Sequence, residues 1–131
     1  MKKLAFLLLG STLFLASCTK QARVENRLEG NWNIKEYTIT NGLTFTFNDA
    51  GTIDFKDDGT GNLKLNLNLF GTSTVQESNF KWTNTGETIT ITDTDSTANY
   101  QIWNIEEAKR KEFIVNTTDA TGNKGRIRMV K

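Results

Sequence analysis

This sequence predicts an all-β domain, an eight-stranded antiparallel up-and-down meander barrel, and three features carry that expectation. Leu63, Leu65, Leu67 and Leu69 alternate with Lys64, Asn66 and Asn68. That period of two lays an apolar and a polar face along one strand, whereas a helix would scatter the leucines around its circumference. Asn41-Gly42, Asp57-Asp58-Gly59 and Asn84-Thr85-Gly86 punctuate the chain between such segments, and these residue types accept the positive φ of tight hairpins. The connections leave no room for crossover helices, so each strand pairs with its sequence neighbour. Closure of the meander removes exposed sheet edges. A β-sandwich is the alternative, because strand number and turn spacing fit both.

The N-terminus precedes this domain. Lys2 and Lys3 lead an apolar run over residues 4–15 that is short for a bilayer span and suited to a secretory signal. Leu15-Ala16-Ser17-Cys18 follows and resembles the lipobox of bacterial lipoproteins. That resemblance implies a signal peptide over 1–17, cleavage before Cys18 and acylation (palmitate included) of the cysteine. A lone thiol in an oxidising compartment is otherwise a liability, and the chain offers nothing to pair with it. By the same resemblance Thr19, which is not acidic, favours sorting to the outer membrane of a Gram-negative envelope.

Residues 18–27 read as the lipidated N-terminus and a polar tether, with a turn of helix available around residues 24–28. Residues 28–131 form the barrel domain. Its first strand covers 32–40, where Trp32 and Ile34 share a face and Tyr37 and Ile39 fall out of phase with them. This predicts a bulge near Lys35-Glu36. Residues 43–47 alternate and suit a short strand or a covering loop, and 52–56 form the next strand. The leucine ladder follows. Residues 75–83 carry Phe80 and Trp82 on one face, and 88–92 carry Ile89 and Ile91. Residues 99–105 place Tyr100 and Ile102 opposite Trp103 and Ile105. Residues 106–111 suit a charged connector, with Glu106–Arg110 and Glu107–Lys111 pairs if it turns helically. The last strands cover 112–118 and 125–130.

Composition narrows the function. Without residues 1–17 the chain keeps 114 residues with 14 basic and 15 acidic side chains, a formal charge of −1 that gives no reason to expect a nucleic-acid partner. Histidine is absent, which removes the commonest general base and a leading metal ligand. With Cys18 acylated there is no free thiol, and no glycine-rich phosphate loop is present. Asp57-Asp58-Gly59 and Asp93-Thr94-Asp95-Ser96 lack the ligand spacing of a calcium loop and serve as turns. No catalytic residue, metal or cofactor is expected.

Gly30-Asn31-Trp32 opens the first strand and resembles the Gly-x-Trp signature of lipocalins, eight-stranded barrels that hold small apolar ligands. The resemblance implies that Trp32 seals the closed end and that Arg126 or Arg128, from the last strand, packs across it. Small lipocalin-like bacterial lipoproteins are similar over the whole chain. The longer lipocalins add a helix after the last strand and a Thr-Asp-Tyr motif that this sequence does not reproduce, so a compact interior is expected. Eight strands enclose either a filled core or one small ligand. The candidate lining is Leu63, Leu65, Leu67, Leu69, Phe80, Trp82, Ile89 and Ile91. The expected function is binding of a small apolar or amphipathic ligand by a membrane-anchored barrel. The alternative is a protein-interaction or scaffold module with a solid core.

Overall fold

The computed structural model describes residues 20–131, so Cys18 and the signal stretch lie outside the described residues. Among these, eight strands form a closed antiparallel barrel in sequence order: β1 (Gly30–Asn41), β2 (Leu43–Phe55), β3 (Thr60–Leu69), β4 (Thr72–Asn84), β5 (Thr88–Asp93), β6 (Tyr100–Ala108), β7 (Glu112–Asp119) and β8 (Lys124–Val130). β8 returns to pair with β1 from Asn33↔Val130 to Thr40↔Lys124, which closes the ring. The predicted meander is the observed topology, and the sandwich is set aside.

The stretch read as a tether is more ordered than its polar composition suggested. Residues 20–28 form a helix, α1, that buries Val24 and Leu28. These two residues lie four apart and share one helical face. That face caps the end of the barrel where β1 begins and β8 ends. The opposite end carries the β1–β2 and β3–β4 hairpins and the β5–β6 and β7–β8 loops.

Two shifts in register aim the side chains. The first lies between Ile34 and Glu36, where the phase change in the sequence placed it. It lets Trp32, Ile34, Tyr37 and Ile39 all contact the core despite their broken alternation. The second lies between Ile105 and Glu107. The supposed charged connector is largely strand, because β6 continues to Ala108 and the turn is confined to residues 109–111. Glu106 and Glu107 consequently pair with Arg126 and Lys109 rather than with Arg110 and Lys111. Residues 43–47 are likewise the first half of one long β2, not a separate strand or a loop.

The barrel's lower half, beside α1, is solid. Phe55 stands at its centre and meets Phe80, Trp82 and Trp103 edge-on, with ring centroids 5.5, 5.5 and 6.1 Å away. Such T-shaped pairs each add about 0.5–1.5 kcal/mol beyond the area they bury. Ile53, Ile89, Phe113, Val115, Ile127 and Met129 fill the remaining space.

The upper half is built differently. β3 pairs with β2 only between Gly61 and Leu65, and β4 pairs with β5 only from Phe80 onward. Residues 66–75 therefore project above the ring as a two-stranded ribbon, paired along both arms from Asn66↔Val75 to Leu69↔Thr72.

Candidate functional site

Two ends of the barrel hold the residues that the sequence singled out. At the closed end, Gly30 adopts φ +116°, a conformation that side chains beyond glycine rarely take. It turns the chain from α1 into β1 and leaves room for Lys131, whose Nζ would lie 3.4 Å from a Cβ added there. Trp32 is fully buried, edge-on to Phe113 at 5.2 Å. Its indole N–H donates to the Leu28 carbonyl oxygen at 2.7 Å, which satisfies one of the orphan acceptors at the end of α1.

The cation over Trp32 is not the expected arginine. Lys131 Nζ sits 4.8 Å from the ring centroid and donates to the main-chain oxygens of Arg27 and Glu29 at 3.2 and 2.9 Å. Arg126 and Arg128 alternate with inward Ile127 and Met129, so strand parity turns them to the outer face. There they pair with Glu106 at 3.0 Å and Glu112 at 2.9 Å. The expectation that either packs across Trp32 is corrected accordingly.

At the open end the interior is hollow. A cavity of about 310 Å³ lies above the aromatic floor. Phe80, Ile53, Ile91 and Trp103 form its base, and Ser78, Gln101 and Asp119 rise around it. An adjoining hollow shares Leu63, Ser78 and Gln101 and extends past Leu65 to Tyr37, Gln76 and Glu77. Tyr100 and Asn99 stand at the rim with the β7–β8 loop.

Four of the predicted lining residues therefore meet there: Leu63, Leu65, Phe80 and Ile91. Trp82 and Ile89 do not. They share strand faces with the liners but sit too far down, within the solid half, and the Trp82 indole N–H donates to the carbonyl oxygens of Lys56 and Thr60. Leu67 packs against the core without lining either hollow. The side chain of Leu69 lies outside the described residues.

Sequence parity left the choice between Tyr100 and Trp103 open. Trp103 is the inward one, 2 % exposed, and Tyr100 is 41 % exposed. The Trp103 indole N–H donates to Gln101 Oε1 at 2.9 Å, so a polar side chain within the cavity wall orients the aromatic floor. Tyr37, Gln101 and Ser78 were not singled out as liners. The signal for Ser78 was present, since it shares strand parity with Phe80. The signal for Tyr37 lay in the bulge, which returns it to the interior.

Electrostatics at the mouth are one-sided. Asp93 and Asp119 line the cavity and no lysine or arginine does, whereas the Glu77 carboxylate accepts from Asn62 on the outer face. Asp119 is held below the usual carboxylate range, first by the Thr121 hydroxyl and then by the N–H groups of Asn123 and Thr121. Burial pushes the Tyr37 hydroxyl up, and the Asp119 charge adds to that rise. Among the described residues no three acidic or thiol side chains converge as a metal site would require.

The fold has relatives of known structure. A lipocalin-like protein from Bacteroides uniformis superposes with a TM-score of 0.56 at 14 % identity, covering 80 % of this chain and 98 % of that one. The bovine lipocalin allergen Bos d 2 gives 0.51 at 13 %, covering 82 % and 74 %. Bovine odorant-binding protein, in complex with a selenium-containing odorant, gives 0.52 at 16 %, covering 82 % and 71 %. No functionally curated protein matches the sequence. The sequence model of the lipocalin-like domain matches residues 28–115, the span from the end of α1 to the middle of β7. With that match over most of a closed eight-stranded barrel, this chain belongs to the lipocalin-like domain family.

Proposed function

We propose that this chain is a lipid-anchored envelope protein, held in the outer membrane of a Gram-negative bacterium through acylated Cys18, whose barrel binds a small amphipathic molecule. One observation carries the binding reading: an aromatic floor of Phe80 and Trp103 lies under a cavity of about 310 Å³ with a polar upper wall. This volume is at the small end of ligand sites, which combine an apolar lining with a few placed polar groups. The apolar part of a ligand rests on Phe80, Ile91 and Trp103, and its polar part meets Ser78 and Gln101. With the carboxylates of Asp93 and Asp119 and no cation in the lining, the favoured ligand is neutral or cationic. An anionic fatty acid is disfavoured. The odorant held by the bovine relative supports an interior site. No group here is arranged for covalent or acid–base chemistry, and the protein acts by binding alone.

Native mass spectrometry of protein extracted from its own membranes tests this reading. The expected result is a small bound mass that disappears in Ser78→Trp, where the new side chain fills the cavity, while the barrel keeps its melting temperature. Wild-type protein that carries no bound species, and takes up neither a neutral nor a cationic dye, sinks it. Mass analysis of the mature N-terminus tests acylation separately.

A second reading, as a protein-interaction module, is favoured by apolar side chains around the mouth. Phe70 is 95 % exposed at the tip of the β3–β4 ribbon, Val75 is exposed lower on the same ribbon, and Leu43 is 70 % exposed on the β1–β2 hairpin. Photo-crosslinking from position 70 in cells distinguishes it: one specific protein adduct supports a partner, and its absence removes this reading.

A further inference from the structure

We infer that the closed end of the barrel is an anionic-membrane docking face, so that the ligand mouth points away from the bilayer carrying the anchor. The charge distribution of α1 begins the argument. With Val24 and Leu28 on the barrel, helical geometry puts Lys20, Arg23 and Arg27 along one flank and Glu25 and Glu29 along the other. The basic flank is extended by the β6–β7 turn and the end of the chain. Arg23, Arg27, Arg110 and Lys131 line one shallow groove, and Lys111 joins it, its carbonyl oxygen accepting from the Lys131 N–H at 3.0 Å.

Among the described residues none of these five cations has a carboxylate partner, whereas Lys20, Lys35, Lys109, Arg126 and Arg128 each have one; Lys56, Lys64, Lys81 and Lys124 are also unpaired, but none of them lines the groove. Arg23, Arg110, Lys111 and Lys131 are exposed. A contiguous set of cations free of counter-charges suits a surface of anionic headgroups, where each basic residue strengthens binding about fivefold.

Chain length fixes which end meets the membrane. Lys20 is tied to Glu87 in the β4–β5 turn at 3.0 Å, so α1 starts at the closed end. Cys18 is two residues upstream, and two residues span at most about 7 Å. The acyl chains therefore leave the protein at the closed end, far from the mouth. This geometric step rests on the lipid-anchored reading of Cys18. The charge argument does not.

The test uses the chain from Cys18 onward, which carries α1 and all eight strands, made without acyl groups. It is sedimented with phosphatidylcholine vesicles that contain or lack phosphatidylglycerol. Binding is expected only to the anionic vesicles and is expected to weaken with added salt. Neutralising the groove with R23Q/R110Q lowers the partition coefficient about 25-fold, while K124Q at the mouth leaves it unchanged. Equal partition onto both vesicle types, or a K124Q effect as large as that of R23Q/R110Q, overturns the proposal. Ligand binding measured on the same variants is unaffected in either event, and mass analysis of the native N-terminus reads acylation by itself, so the readings fail separately.

Discussion

Lys131 Nζ lies 4.8 Å above the Trp32 ring while donating to two main-chain oxygens at the end of α1. One side chain thus closes both the helix and the barrel floor. A cation near a helix C-terminus and a cation over an indole each contribute about 0.3–1 kcal/mol at exposed sites. Lys131→Ala is expected to lower stability by about 1 kcal/mol in urea unfolding, with Lys131→Arg retaining most of it. Trp32→Ala, which also empties a buried volume beside Phe113, is expected to cost about 4 kcal/mol.

Gln101 connects the floor of the cavity to its wall. Gln101→Leu leaves the Trp103 indole N–H without its partner, at a cost of about 1–3 kcal/mol, and makes the wall more apolar. Thermal unfolding should report the loss. Dye titration should show tighter binding of a wholly apolar probe and weaker binding of one with a hydroxyl head.

Gly61 lies in the wall on β3, directly paired with Phe80 of β4 and Phe55 of β2. A Cβ there would fall on the Phe80 ring and lie 2.6 Å from the Asp54 carbonyl oxygen, so Gly61→Ala forces the ring upward. The expected cost is about 1–3 kcal/mol. Because Phe80 also forms the base of the cavity, ligand affinity should change as well. The adjacent Asn62→Ala, on the outer face, should change stability little and affinity not at all.

The mouth should respond to pH at both extremes. The folded Asp119 carboxyl is held low, so its contribution is complete above the ordinary aspartate value of about 3.9. It is lost as pH falls through the lower folded value. Amide exchange at Asn123 and Thr121 should accelerate there, and Asp119→Asn should remove the transition. Tyr37 is shifted the other way, so the stability it contributes is present below pH about 10 and declines as pH rises through its folded value. Tyr37→Phe should flatten that alkaline decline.

Much of this architecture was legible because a meander barrel is written in local signals. The leucine ladder, the Asn-Gly and Asp-Gly turns and the phase break after Ile34 each act over a few residues, and each found its element. The site was harder to read because period two reports only which face a residue occupies, not its height along the strand. Phe80 and Trp82 share a face, yet one floors the cavity and the other lies in the solid half. The cation over Trp32 was misassigned for a related reason: Arg126 and Arg128 have outward parity, and Lys131 reaches the ring only by leaving the strand. The extent of α1 was hidden because only two of its residues are buried apolar ones.

The ribbon of residues 66–75 has a mechanical consequence. Its inner ladder is continuous, but neither outer edge is hydrogen-bonded to β2 or β5 above Leu65 and Phe80. Bending it therefore breaks no ladder that closes the ring. Depth and chemistry of the pocket are set by rigid parts, the aromatic floor and the paired lower strands. Above them one side of the wall is held by its own two-stranded ladder alone. The barrel is in effect a socket laced tightly at its base and on one flank only loosely at its rim.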